Sequence, residues 1–266
     1  MDDGEEALRD QRRFRMAHHV RLENSDVLPL TRVTVADLAP RVLAVGDPAR
    51  AAQAAEWLGN ARKVGENREY VTYTGLFDGH PVTVVSHGVG AAGAAVCFEE
   101  LCRGGVTRII RAGTAGGIQP DVTDGDLVVA TGAVRDEGLT PHLVPLSYPA
   151  VADADLMVAL RAEAQQAGAR VHCGIVLTSD CFYPMNILQN SHRMWQRAGI
   201  VAVEMESAAL MVIATQHGVA AGALFAIDGN PLAEADETMS DYRPFREIVT
   251  RATARAVKVA LRVLVS

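Results

Sequence analysis

The side chains best suited to chemistry in this sequence follow short apolar runs. Arg111-Ala112-Gly113-Thr114 comes directly after the run at 107–110. An arginine at a strand end followed by a Gly/Thr loop offers a guanidinium fork, a hydroxyl and free backbone N–H groups together, a combination suited to phosphate. Arg50, in Gly46-Asp47-Pro48-Ala49-Arg50, supplies a second fork, and Arg68, in Asn67-Arg68-Glu69-Tyr70, a third. Any one arginine on an acidic protein is more commonly a surface residue paired with a carboxylate. The joint placement of three favours an anion site. Charge-assisted hydrogen bonds contribute roughly 1.5–3 kcal/mol each, so two or three forks hold a small dianion against a formal net charge of −7.

Glu204-Met205-Glu206 lies between the run at 201–203 and an almost uncharged helical stretch, where a bare carboxylate is costly to desolvate. A sugar with two adjacent hydroxyls is a fitting partner. Helix-start electrostatics accounts for one glutamate better than for two, and Glu206 is the stronger candidate. Asp228 ends an apolar strand before Gly229-Asn230-Pro231. It either caps that turn or acts on a leaving group, for which general-acid help is worth about 10²–10⁴ in rate. Phe182 and Tyr183 read as core aromatics or as a stacking platform, Asp180 as a helix or turn cap, and His87 as structural. Gly88-Val89-Gly90-Ala91-Ala92-Gly93 has the spacing of a dinucleotide fingerprint. The next strand, however, ends in Ile110-Arg111 rather than in an acidic residue for the ribose hydroxyls. The pattern is therefore read as a tight strand-to-helix turn lining the site.

The elements that must position these residues show in the hydrophobic pattern. Apolar runs at 42–45, 82–85, 107–110, 127–130, 175–177, 201–203 and 224–227 read as buried strands. Helical patterns at 49–58, 91–103, 153–167 and 207–216 alternate with several of them, as in a mostly parallel sheet covered on both faces. After Pro244, apolar residues Phe245, Ile248, Val249, Ala252, Ala256, Val259, Ala260 and Val263 recur at spacings of three and four and predict a closing amphipathic helix. The expected fold is α/β: a single-domain three-layer sandwich with a central mixed, mostly parallel sheet flanked by helices. The domain spans 29–266, after a charged N-terminal extension at 1–28. At 266 residues and 49% hydrophobic, such a chain buries a core without disulfides or a metal. Four cysteines without CxxC spacing argue against a zinc site and fit a reducing, cytoplasmic setting. An acidic balance argues against nucleic acid, and no apolar run reaches the length of a membrane span.

Taken together these segments resemble the hexameric nucleoside phosphorylase family of uridine and purine nucleoside phosphorylases. The likeness begins at about Leu30 and rests on Gly46-Asp47-Pro48-x-Arg50, Asn67-Arg68-Glu69, Arg111-x-Gly113-Thr114, Ser179-Asp180-x-Phe182-Tyr183-Pro184 and Glu204-Met205-Glu206, in the family's order and spacing. The stretch from Val85-Ser86-His87-Gly88 through Glu99-Glu100-Leu101-Cys102, with Ile227-Asp228-Gly229-x-Pro231, is most similar to the purine nucleoside phosphorylases of malaria-type parasites. The resemblance implies a homo-oligomer, a trimer of dimers, with active sites shared between subunits. Gly46, Arg50, Arg111 and Thr114 would bind phosphate, with Arg68 reaching across from a neighbouring subunit. Glu204, Met205 and Glu206 would bind ribose, and Phe182, Val203 and Asp228 would meet the base, with Arg111 and Asp228 acting in catalysis. Inorganic phosphate is then a co-substrate. No cofactor or metal is implied, and a structural monovalent cation near Glu69 is left open. The sequence departs from the family at two points. Met185-Asn186-Ile187-Leu188 stands where uridine phosphorylases carry a Gln and an Arg for uracil, and Pro29-Leu30 stands where relatives carry a histidine for a neighbour's 5′-hydroxyl. The competing readings are a uridine phosphorylase, a nucleosidase that uses water and has no need of the arginines, a non-catalytic nucleoside-binding protein, and a nicotinamide oxidoreductase.

Overall fold

In β1 (Arg41–Val45) successive side chains leave opposite faces of the strand, and both sets are buried. Val42 and Ala44 pack with α2 (Ala91–Arg103) and α6 (Ser207–His217), whereas Leu43 and Val45 pack with α1 (Pro48–Ala55), α4 (Ala154–Gln166) and α7 (Glu247–Val265). β10 (Ala220–Gly229) repeats the pattern, with Ala223, Phe225 and Ile227 on one face and Leu224 and Ala226 on the other. A strand covered on both sides has to be apolar throughout, which is why these runs read as continuous rather than alternating. The computed structural model describes residues 22–183, 191–232 and 246–266. The N-terminal residues 1–21, Pro184, the stretch 185–188, Pro244 and Phe245 lie outside the described residues.

Among the described residues ten strands join one mixed sheet, ordered β10-β6-β8-β9-β5-β1-β4-β3-β2, with β7 (Ala150–Val151) on β6. β4 (His80–Ser86), β1, β5 (Arg108–Gly117) and β10 pair in parallel, as do β6 (Leu127–Asp136), β8 (Val171–Ser179) and β9 (Ala202–Glu204). β10 pairs both β5 and β6, and β9 pairs β5, so that part of the sheet closes on itself. β1, β4 and two further strands extend from it as an open wing. The fold is α/β, with a central mixed sheet flanked by helices.

Those two further strands, β2 (Gly59–Asn67) and β3 (Tyr70–Phe77), were not foreseen from the apolar runs. β2 is an edge strand, exposed along most of its length, so it needs no apolar run; its pairing with β3 forms it. Local signals fix the helix starts. Asp47 accepts from the Ala49 N–H at 2.8 Å ahead of Pro48, and Asp153 from the Leu156 N–H at 3.0 Å. In α7 the anticipated residues Val249, Ala252, Ala256, Val259, Ala260 and Val263 are buried, but Ile248 is 45% exposed. Glu100 of α2 fastens the segment before β1, accepting from the N–H groups of Leu30 and Thr31 at 2.7 and 2.8 Å. Among the described residues no helix is long and apolar enough to cross a membrane.

Candidate active site

Arg111 does not stand at a strand end before a loop. β5 continues through Thr114 to Gly117, and its residues pair with β10 in register, Arg111 with Ala223 and Thr114 with Ala226. The small residues Ala112, Gly113 and Ala115 gave no strand signal of their own; pairing with β10 holds them extended, since β1 pairs β5 only as far as Arg111 and β9 only from Gly116. With a partner on one side only, alternate backbone N–H groups of this stretch point away from β10. Arg111 is only 4% exposed. Its Nη2 donates to Glu206 Oε2 and lies 3.7 Å from Glu204 Oε2, and its guanidinium stacks 4.9 Å from the Phe225 ring centroid. Nε and Nη1 are buried and have no hydrogen-bond partner among the described residues. Gly113 leaves room for this group, since a Cβ there would come 2.4 Å from Nη1. Gly113→Ala is expected to displace the guanidinium at a cost of about 1–3 kcal/mol of stability, which urea denaturation measures.

The two glutamates of the motif do different work. Glu204 accepts from the N–H groups of Glu206 (2.9 Å) and Ser207 (2.9 Å) and from Thr178 Oγ1 at 2.5 Å, so it caps the start of α6. Burial raises its pKa, and the Glu206 charge adds to the rise. Glu206 accepts from the Gly90 N–H at 2.7 Å and from Arg111. Burial alone would push Glu206 up, but Arg111 and the Gly90 hydrogen bond hold its pKa below the usual carboxylate range. Met205, between them, and Val203, just before Glu204, are half-buried.

The glycine pattern forms the tight turn expected from β4 into α2, with positive φ at Gly88 (75°) and Gly90 (94°). A side chain at Gly88 would also meet Glu69, 2.6 Å away. The Gly88 N–H donates to the Gly46 carbonyl at 3.0 Å, which sets the turn against the end of β1. Arg50, half-buried on α1, and Arg111 both act electrostatically on His87, whose pKa burial lowers to about 4. Gly46, Arg50, His87, Gly90, Arg111 and Glu206 therefore converge at the carboxyl ends of parallel strands, as ligand sites in such sheets do. Thr114 lies half-buried farther along β5.

Asp228 sits in β10 where the register slips between Ile227 and Gly229, a bulge that turns one side chain out of the strand's alternation. It is 5% exposed, and a cap on the turn that follows comes from Asn230, which accepts from the Leu232 N–H at 2.8 Å. Asp180 accepts from the Gly138 N–H at 2.8 Å, which ties the ends of β6 and β8 together. Phe182 and Tyr183 meet edge-on at 4.8 Å and are 51% and 64% exposed, so neither is a core aromatic. Arg68 is exposed at the tip of the β2–β3 hairpin with φ 54°, and is not among the groups that converge on Arg111. Gly90 belongs to the turn expected to line the site, whereas His87, read as structural, was missed. The signal for His87 was its place beside the Gly88–Gly93 pattern, whose turn delivers the Gly90 N–H to Glu206. Among the described residues no group of His, Cys, Asp or Glu is arranged to hold a metal ion.

Comparison with known proteins bears on this arrangement. Residues 40–265 match the family described as the phosphorylase superfamily. The chain is 37% identical to the uridine phosphorylase of Treponema pallidum over 85% of its own length and 88% of the relative's. It is 36% identical to the purine nucleoside phosphorylase of Plasmodium falciparum over 86% and 92%. The crystal structure of the purine nucleoside phosphorylase from Toxoplasma gondii in complex with immucillin-H superposes with a TM-score of 0.85 at 32% identity, covering 91% of this chain and 97% of that one. With the buried arginine, the paired glutamates and the glycine turn in one place, the chain belongs to the phosphorylase superfamily, as a nucleoside phosphorylase that transfers a pentosyl group between a base and phosphate.

Proposed function

We propose that this protein cleaves purine ribonucleosides with inorganic phosphate to give the free base and ribose 1-phosphate. The observation that carries phosphate over water is Arg111, a buried guanidinium with one edge on Glu206 and two further nitrogens without partners among the described residues. Gly46, Arg50, Arg111 and Thr114 hold the anion. Glu206, with Met205 and the cap residue Glu204 beside it, takes the ribose hydroxyls. Phe182 and Val203 line the base. The C1′–N9 bond breaks with its electron pair going to the base, N7 of the purine receives a proton through Asp228, and an oxygen of phosphate closes on C1′. The bulge that sets Asp228 apart from its strand neighbours supports that role. The test is base release from inosine, guanosine, adenosine and uridine, with and without phosphate. Release from the purine nucleosides only when phosphate is present is the expected result, and release without phosphate would identify a nucleosidase. A uridine phosphorylase is the second reading, favoured by the likeness to the Treponema pallidum protein; faster turnover of uridine than of any purine nucleoside would establish it.

The exposed Arg68 supports an assembly in which one subunit completes the site of another, a hexamer built as a trimer of dimers, for which light scattering should give the mass of six chains. Asn67 donates to the Leu30 carbonyl at 2.8 Å, so Pro29-Leu30 travels with Arg68 on the same hairpin. A 5′ end of the sugar met by proline and leucine tolerates loss of its hydroxyl. We therefore expect 5′-deoxy nucleosides to keep kcat/KM within about tenfold of the parent, and a larger preference for the free hydroxyl in paired assays would refute that expectation.

A further inference from the structure

His87 stands where β4 turns into α2, and its ring is fully buried and edge-on to Phe98 at 5.3 Å. Nδ1 lies 2.9 Å from the Gly88 carbonyl, which can only accept, so Nδ1 carries the proton. In the neutral ring Nε2 is then a bare acceptor. It is buried and has no hydrogen-bond partner among the described residues. An acceptor buried in this way needs a donor facing it. Three residues identify the surroundings. Cε1 is 3.9 Å from where a Cβ on Gly46 would lie, and the charges acting on the ring include Arg111 and Glu206. Burial, reinforced by Arg111, keeps the imidazole neutral at physiological pH.

We infer that His87 Nε2 accepts a hydrogen bond from the protonated oxygen of bound monohydrogen phosphate, so that the anion site selects phosphate over tetrahedral dianions that carry no proton. The inference rests on the reading of Gly46, Arg50, Arg111 and Thr114 as the phosphate residues. The two guanidinium groups are donors only and would serve sulfate as well as phosphate. Near neutral pH monohydrogen phosphate keeps one O–H and sulfate has none. Against sulfate, Nε2 sets a lone pair toward an anionic oxygen; against phosphate, it receives a proton donor. No proton changes hands in this contact, and an unprotonated oxygen remains for attack on C1′.

The experiment is steady-state phosphorolysis with sulfate as a competitive inhibitor against phosphate. For the unaltered protein the sulfate Ki should exceed the phosphate KM roughly tenfold or more. His87→Phe keeps the ring and removes the acceptor; it should raise the phosphate KM with little change in the nucleoside KM and bring the ratio toward one. His87→Gln, whose carbonyl reaches the position of Nε2, should retain part of the ratio. Sulfate bound as tightly as phosphate by the unaltered protein would overturn the inference, and that comparison needs no variant to fold. So would a His87→Phe variant that raises the nucleoside KM and leaves the anion ratio intact, since Nε2 would then serve a sugar hydroxyl. Base release without phosphate would refute phosphorolysis itself, a separate outcome.

Discussion

Arg111→Met is expected to reduce phosphorolysis by about 10³-fold or more and to destabilise the fold by about 3–5 kcal/mol. The side chain is 4% exposed and is a close cationic partner of Glu206, with Glu204 3.7 Å away. Methionine fills much of the volume against Phe225 but leaves a buried carboxylate whose remaining donor among those described is the Gly90 N–H. The cost is that of an uncompensated charge rather than of a lost contact. Two measurements separate these. In the double variant Arg111→Met/Glu206→Gln the orphan charge is gone, so most of the stability should return while activity stays low. The coupling between the two sites should be about 3 kcal/mol in urea denaturation, the upper end for residues in contact. The pH dependence also has a definite sign. Glu206 is held below its ordinary value of 4.5 in the folded protein, so its contribution to stability is full at neutral pH and is lost as pH falls below that value. In Arg111→Met the charge is a liability that protonation relieves. The deficit of the variant should therefore be largest near pH 7 and shrink in acid, and a deficit that stays constant from pH 7 to pH 4 would show that the ion pair is not its source.

Asp228→Asn should lower purine turnover well over tenfold, within the roughly 10²–10⁴ typical of a general acid, and leave uridine turnover much less affected. A pyrimidine leaving group offers no N7, so the carboxylate has nothing to protonate there. Asparagine has nearly the same shape and keeps an acceptor, so kcat should fall more than KM rises. Near-normal purine rates would remove Asp228 from the mechanism. Equal losses on inosine and uridine would point to a disturbed β10 bulge instead, and a thermal midpoint unchanged from the parent excludes that explanation.

Much of this architecture was legible in the residue pattern. Runs such as 42–45 and 224–227 are apolar at every position, and only strands buried on both faces require that. The helical stretches at 49–58 and 153–167 showed in their apolar spacing, and the caps at Asp47 and Asp153 that start them are local interactions within three residues. β2 escaped because an exposed edge strand places little demand on side-chain polarity. The Arg111–Thr114 segment was misjudged as a loop because a strand of Ala, Gly and Thr owes its extension to its neighbours.

The sequence alone determined the α/β class, the doubly buried strands and the helical stretches between them, and it held the arginines, glutamates and glycines on which the proposed phosphorolytic site draws. Only the tertiary structure decided which of them meet. Arg111 and Glu206 are 95 residues apart, and Gly90 and Glu206 are 116 apart. It separated Glu204, which caps a helix, from Glu206, which binds the arginine, and it placed Asp228 in a bulge and His87 with an acceptor unmatched among the described residues. The reason is physical. Periodicity and capping are fixed by interactions within a turn or two of chain, whereas the partner of a buried charge is fixed by strand register and by which face each helix covers, and neither is encoded near the charge itself.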